Sequence, residues 1–207
     1  GVVRDGTSAG QDQLAATRLG DGVDRIEAGT YVVAGAITKG SISVNRCRPE
    51  HLEPLLNKLG EAGVSIRVEK ERVHIDASKR GRLKGVDVRT LPFPGFPTDM
   101  QAQMVALMSV AEGTSIITET VFESRFMHVE ELRRMGADIR VEGNRVVITG
   151  HERLAGAPVM ASDLRASAGL ILAGLAAEAD VPMSQYSLAW TLAQPAMSSL
   201  VVRGSPA

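Results

Sequence analysis

Val64-Ser65-Ile66-Arg67-Val68 and Arg72-Val73-His74-Ile75 alternate apolar with polar residues and are joined by Glu69-Lys70-Glu71. Successive side chains on a strand point to opposite faces, so each run predicts a short strand and the pair a β-hairpin. The pattern returns further on: Ile66, Val68, Val73 and Ile75 correspond to Ile139, Val141, Val146 and Ile148. Gly40 corresponds to Gly113 and Gly63 to Gly136, so the shift is 73 residues throughout. A shift kept by turn glycines and strand residues alike marks an internal repeat.

Outward from the hairpin, Pro49 is expected to start a helix whose face is Leu52, Leu55, Leu56 and Leu59. Before it, Ser41 to Cys47 alternates over a strand's length, which places Cys47 in a strand. Earlier still, Ile26, Tyr31, Val32, Ala34, Gly35, Ala36 and Ile37 make a small-residue helix that Gly40 would end as its C′ residue. Each unit thus reads helix, strand, helix, hairpin. The units run over about 24–90 and 98–150, with an incomplete third over 157–178 that opens with Val159-Met160-Ala161-Ser162 and continues as a helix from Leu164 to Ala177.

An apolar helix such as Val105 to Val110 has to be covered on most sides. The expected fold class is therefore α/β, with repeated helix-strand-helix-hairpin units whose helices pack inward and whose sheets lie outside. The Ala, Gly and Ser content of helices 99–112 and 164–178 would let them lie side by side. Residues 1–23 show little periodicity, and 179–207 form an atypical C-terminal tail.

Across 207 residues, 23 basic and 24 acidic side chains give a net charge of −1. No long-range field draws in nucleic acid or an anionic membrane, so neither is expected as a partner. One cysteine excludes an internal disulfide, and four scattered histidines offer no metal-ligand spacing. Neither a metal nor a redox dithiol is expected. Apolar stretches are short and broken by glycine, and no signal-like segment opens the chain, which predicts a cytoplasmic, reducing compartment. Aromatic residues are only 3% of the chain, too few for extensive stacking on bases or sugars.

Chemistry concentrates around Phe96-Pro97-Thr98-Asp99-Met100-Gln101, where a proline-stiffened loop meets the apolar run Met104 to Val110. Thr98 or Asp99 could cap the helix that begins there. The whole stretch Leu91 to Gln103, followed by Thr118-Glu119-Thr120-Val121-Phe122-Glu123-Ser124-Arg125-Phe126 and Asp163-Leu164-Arg165-Ala166-Ser167, resembles the enolpyruvyl transferases. The likeness also takes in Asp24 to Thr30, covers about 24–178, and places three separated motifs in the family's order. It implies an inside-out α/β barrel, as one of two domains with the substrate cleft between them. Both ends of the chain depart from the family's pattern, which suggests a change of reading frame or an assembly artefact at one or both.

Within the family, the Phe-Pro-Thr-Asp-Met-Gln and Glu-Thr-Val-Phe-Glu-Ser-Arg-Phe stretches resemble the branch that acts on a nucleotide sugar. The resemblance implies transfer of enolpyruvyl from phosphoenolpyruvate to the 3′-hydroxyl of UDP-N-acetylglucosamine, a step of peptidoglycan synthesis that needs no cofactor. Such chemistry requires cations for phosphate and carboxylate, a base at the hydroxyl and an acid at the methylene carbon. By the resemblance Asp99 stands at the sugar hydroxyl, Val121 makes a second nucleotide-sugar contact through its backbone at a strand end, and Arg165 contacts phosphoenolpyruvate. A guanidinium suits that ligand through bidentate bonds. Arg125 is a weaker binding candidate, expected as a structural partner of Glu119 or Glu123. Cys47 does not match the family's loop cysteine, which lies in the other domain with further cations, so the chain alone is expected to be inactive. The alternatives are 3-phosphoshikimate as acceptor, or a non-catalytic module on the same fold.

Overall fold

A computed structural model describes residues 24–79, 81–123, 125–160 and 164–177. Helix α1 (Arg25–Ile37) starts at Asp24, whose side chain accepts from the N–H groups of Ile26 at 2.8 Å and Glu27 at 3.3 Å. Two of the four donors orphaned at a helix start are thereby satisfied. At the other end Lys39 N–H bonds Ala36 O and Gly40 N–H bonds Gly35 O, with Lys39 at φ 53°. The left-handed residue is therefore Lys39, and Gly40 stands one place later than expected. This pair of reversed bonds requires the left-handed turn at the first residue past the cap.

Strand β1 (Ser41–Asn45) lies against α1 so closely that a Cβ on Gly35 would come within 2.0 Å of Ile42 Cγ2. Cys47 lies two residues beyond β1, not within it; it is buried, with Sγ 3.4 Å from Val44 O. Pro49 opens a 3₁₀ turn, Pro49–His51, and α2 (Glu53–Ala62) follows with Pro54 in its first turn. Proline is tolerated there because its missing N–H would be unpaired in any case, so Pro54 sets the α-helical start later than Pro49. The expected leucine face is buried.

Strands β2 (Ser65–Glu69) and β3 (Arg72–Asp76) form the first hairpin, and β1 pairs with the other edge of β3. After β4 (Val88–Arg89), a 3₁₀ turn Thr98–Met100 leads into α3 (Gln101–Ser109). Then come β5 (Thr114–Thr118), α4 (His128–Arg134) and the hairpin β6 (Asp138–Glu142) with β7 (Arg145–Thr149). In the first sheet Ser41 and Ser65 both face Asp76; in the second Thr114 and Asp138 both face Thr149, each number 73 higher. The second sheet has one strand more, β4, parallel to β5 through Val88 with Ile117 and Arg89 with Thr118. Val68 and Val141, on the edge strands β2 and β6, remain 54% and 43% exposed, whereas Val73 and Val146 on the central strands are fully buried.

Every residue of α3 is buried. It packs against α1 and against α5 (Leu164–Ala177). Gln103 Nε2 donates to Thr30 Oγ1 at 3.1 Å, and Gly29 lies under the Met100 side chain. A Cβ on Gly169 would come within 2.9 Å of Ala102 O, so α5 meets the α3 backbone directly. These contacts join early turns to early turns, and the N-terminal ends of α1, α3 and α5 lie together. The helix expected over 99–112 is shorter, because a 3₁₀ turn takes 98–100 and α3 stops at Ser109. On α5, Ala166, Leu170, Leu172, Ala173 and Ala176 are buried while Ile171 is 37% exposed. Among the described residues no helix is long and apolar enough to cross a membrane. The segments 1–23 and 178–207, and residues 161–163 of the expected third unit, lie outside the described residues.

Candidate functional site

Beside the common end of the helices, the turn before α3 meets the loop that leaves β5. Glu119 joins them. It is 1% exposed, and its Oε1 accepts from Thr90 Oγ1 at 2.7 Å, Val121 N–H at 2.8 Å and Phe122 N–H at 3.2 Å. Its Oε2 accepts from Thr98 Oγ1 at 2.7 Å. An ionised carboxylate only accepts, and here every donor that reaches it is neutral. Burial by itself would raise its pKa; the bonds from Thr90, Thr98, Val121 and Phe122 outweigh burial and hold the carboxyl below the ordinary value of 4.5.

Thr98 and Asp99 do not cap a helix: the residues in the cap positions are Pro97 for the 3₁₀ turn and Met100 for α3, neither with a side-chain cap bond. The Thr98 hydroxyl gives its hydrogen to Glu119 and accepts from Arg125 Nη1 at 2.9 Å. Arg125 Nη1 also stands 3.2 Å from Asp99 Oδ1. The partner of Arg125 is thus Asp99, not Glu119 or Glu123, because the short turn carries Asp99 toward the β5 exit loop. The Arg125 guanidinium lies 3.9 Å from the centre of the Phe122 ring, which is half exposed. Asp99 keeps 35% of its side chain exposed.

Val121 is not at a strand end. It lies three residues past β5, half-buried, with its N–H given to Glu119. Arg165 is the second residue of α5, at the shared end of the helices; its side chain lies outside the described residues. Across the same end Arg25 lies 5.3 Å from the centre of the Phe93 ring, itself 62% exposed. The structure therefore brings Asp99, Arg125 and Val121 into one hydrogen-bonded cluster and places the α5 first turn at the same end of the domain.

Sequence reasoning named Glu119 only as a partner for Arg125, and passed over Thr90 and Asn144. Asn144, in the turn between β6 and β7, accepts from Glu119 N–H at 2.8 Å and donates to Glu119 O at 3.1 Å. A glutamate just past a strand reads as a solvent-facing loop residue, and nothing local announces the two donors, Thr90 and Thr98, that come from 29 and 21 residues away.

The family described as EPSP synthase (3-phosphoshikimate 1-carboxyvinyltransferase) matches residues 7–189. A UDP-N-acetylglucosamine 1-carboxyvinyltransferase from Desulfosudis oleivorans is 55% identical over 162 residues, 78% of this chain and 38% of that protein. Its namesake from Lawsonia intracellularis is 57% identical over 155 residues, 75% of this chain and 37% of that protein. The chain thus spans well under half the length of these curated relatives. Among solved structures, the enolpyruvyl transferase NikO from Streptomyces tendae is similar with a TM-score of 0.67 at 28% identity, over 74% of this chain and 36% of its own. EPSP synthase from Acinetobacter baumannii shares the fold, with a TM-score of 0.59 at 20% identity over 80% of this chain and 39% of its own. With the α/β architecture of these structures and a family match over most of its length, the chain belongs to the EPSP synthase family of enolpyruvyl-transferring proteins.

Proposed function

We propose that this chain supplies one wall of the active site of a UDP-N-acetylglucosamine 1-carboxyvinyltransferase. The observation that carries the reading is the Asp99 carboxylate: part exposed, braced by Arg125, and beside the shared N-terminal end of α1, α3 and α5. Relatives bearing that enzyme's name at 55% and 57% identity support the nucleotide sugar over 3-phosphoshikimate as acceptor. In the reaction the 3′-hydroxyl oxygen of UDP-N-acetylglucosamine bonds to the enol carbon of phosphoenolpyruvate, the hydroxyl loses its proton, and phosphate leaves. Asp99 takes the proton as the C–O bond forms. Arg165, from the first turn of α5, binds the phosphate or carboxylate of phosphoenolpyruvate. Because the Val121 N–H is spent on Glu119, a backbone contact from Val121 to the sugar is made through its carbonyl.

The same reading completes the fold as an inside-out barrel of three helix-strand-helix-hairpin units, facing a second domain across the cleft. That domain contributes the acid and further cations, and the chain by itself binds without turnover. The enzyme works in the cytoplasm at the start of peptidoglycan synthesis.

The test is Asp99→Ala in an intact enzyme carrying this sequence. Uracil and diphosphate supply most of the ground-state binding, so kcat should fall by about 10²–10⁴ while the nucleotide-sugar Kd moves far less. Because Asp99 caps no helix, Asp99→Asn separates proton acceptance from shape: the amide keeps an oxygen for Arg125 but takes no proton at neutral pH. Near-normal turnover in Asp99→Asn would remove Asp99 from the base role.

A further inference from the structure

Glu119 is held from every side. Its own N–H and C=O are both bonded by Asn144, and Thr90, one of its donors, accepts from Thr120 N–H at 2.9 Å. The carboxylate thereby ties together the end of β4, the loop leaving β5 and the turn that opens α3, while the Glu119 backbone holds the β6–β7 turn. At 1% exposure it cannot reach a reactant. What it does reach is Thr98. That hydroxyl has one hydrogen, and since Glu119 Oε2 takes it, the Thr98 oxygen is left to accept from Arg125. Arg125 in turn meets Asp99. The direction of each bond follows from Glu119 being an acceptor only.

We propose that Glu119 is a positioning residue that acts through Thr98 and Arg125 to set where the Asp99 carboxylate stands. The inference rests on Asp99 acting at the sugar hydroxyl. In Glu119→Gln one carboxylate oxygen becomes an NH₂ donor. Three donors converge on Oε1 and one on Oε2, so the amide oxygen belongs in the Oε1 site and the NH₂ faces Thr98. The Thr98 hydrogen then loses its acceptor, and the chain of bonds to Arg125 and Asp99 is no longer fixed in direction. A displacement of about 1 Å in a reacting group can cost about 10² in rate.

The experiment is a double-mutant cycle in an intact enzyme carrying this sequence, with Glu119→Gln, Asp99→Asn and both together. Glu119→Gln alone should lower kcat by about 10- to 10²-fold and leave the KM for the nucleotide sugar within about threefold. In the Asp99→Asn background the same change should cost less than about twofold, since nothing remains to be positioned. An equal loss of kcat in both backgrounds, or no loss in either, overturns the proposal. If Glu119→Gln does not fold, Thr98→Val breaks the same relay and is read by the same cycle. If Asp99→Asn turns over normally, it is the reading of Asp99 that fails. The crystal structure of Glu119→Gln then judges positioning separately: an Arg125–Asp99 distance still at 3.2 Å overturns it, and a displaced Asp99 upholds it.

Discussion

Arg125 Nη1 stands 3.2 Å from Asp99 Oδ1, a contact between residues 26 apart in sequence. The same guanidinium bonds the Thr98 hydroxyl and lies over the Phe122 ring. A planar, delocalised cation can make all three contacts together, whereas an ammonium presents a point charge on a flexible stem. Arg125→Lys should therefore destabilise the fold by about 1 kcal/mol despite keeping the charge, since the Asp99 pair is part exposed and charge alone contributes little. Urea unfolding of the two proteins measures it, and equal midpoints would show that the planar geometry contributes nothing.

The buried Glu119 carboxylate makes stability depend on pH in a predictable direction. Burial opposes its charge, but the four hydrogen bonds prevail and its folded pKa lies below the ordinary 4.5. The unfolded chain then takes up the proton at a higher pH than the folded one. Stability from Glu119 is present above the ordinary value and is lost as pH falls through the folded one. Asp76 and Glu131 are also held low, so wild type alone does not isolate the effect. Glu119→Gln should be less stable at pH 7 by about 1–3 kcal/mol, the cost of leaving buried partners unmatched, and the gap should narrow as the pH drops below about 4.5. A gap independent of pH would mean that the carboxylate carries no charge in the fold.

Two glycines on α5 should respond in opposite directions to the same substitution. A Cβ on Gly169 would lie 2.9 Å from Ala102 O and 3.0 Å from Ala102 C, backbone atoms that can yield only if α3 and α5 separate. A Cβ on Gly174 would meet nothing within 4 Å. Gly169→Ala should cost about 1 kcal/mol net, overpacking outweighing the gain in helix propensity, and Gly174→Ala should add about 0.5–1 kcal/mol. Thermal or chemical unfolding reads both signs at once.

Much of this architecture was legible because its signals are local. The alternation of Ile66, Val68, Val73 and Ile75 announces a hairpin to anyone counting by twos, and its return 73 residues on at Ile139, Val141, Val146 and Ile148 is matched by the registers of the two sheets. Asp99 could be singled out because its surroundings resemble a known motif over a dozen residues. Local signals misled where two explanations shared one pattern. A threonine and an aspartate before an apolar helix look like caps, yet the Thr98 hydroxyl is committed to Glu119 and Asp99 to Arg125.

By itself the sequence determined the two hairpins, the leucine face of α2 and the apolar character of α3, since side-chain period, turn glycines and prolines act within a few residues of where they stand. Only the tertiary structure decided that Glu119 is the hub of the hydrogen-bonded cluster around Asp99, that Arg125 belongs to Asp99, and that Val121 has already given up its N–H. Apart from the Val121 and Phe122 bonds, which close within the β5 exit loop, these links span 21 to 29 residues. Their partners are set by which loops the sheet and the buried helices carry to the same end of the domain, and no run of neighbouring residues encodes that.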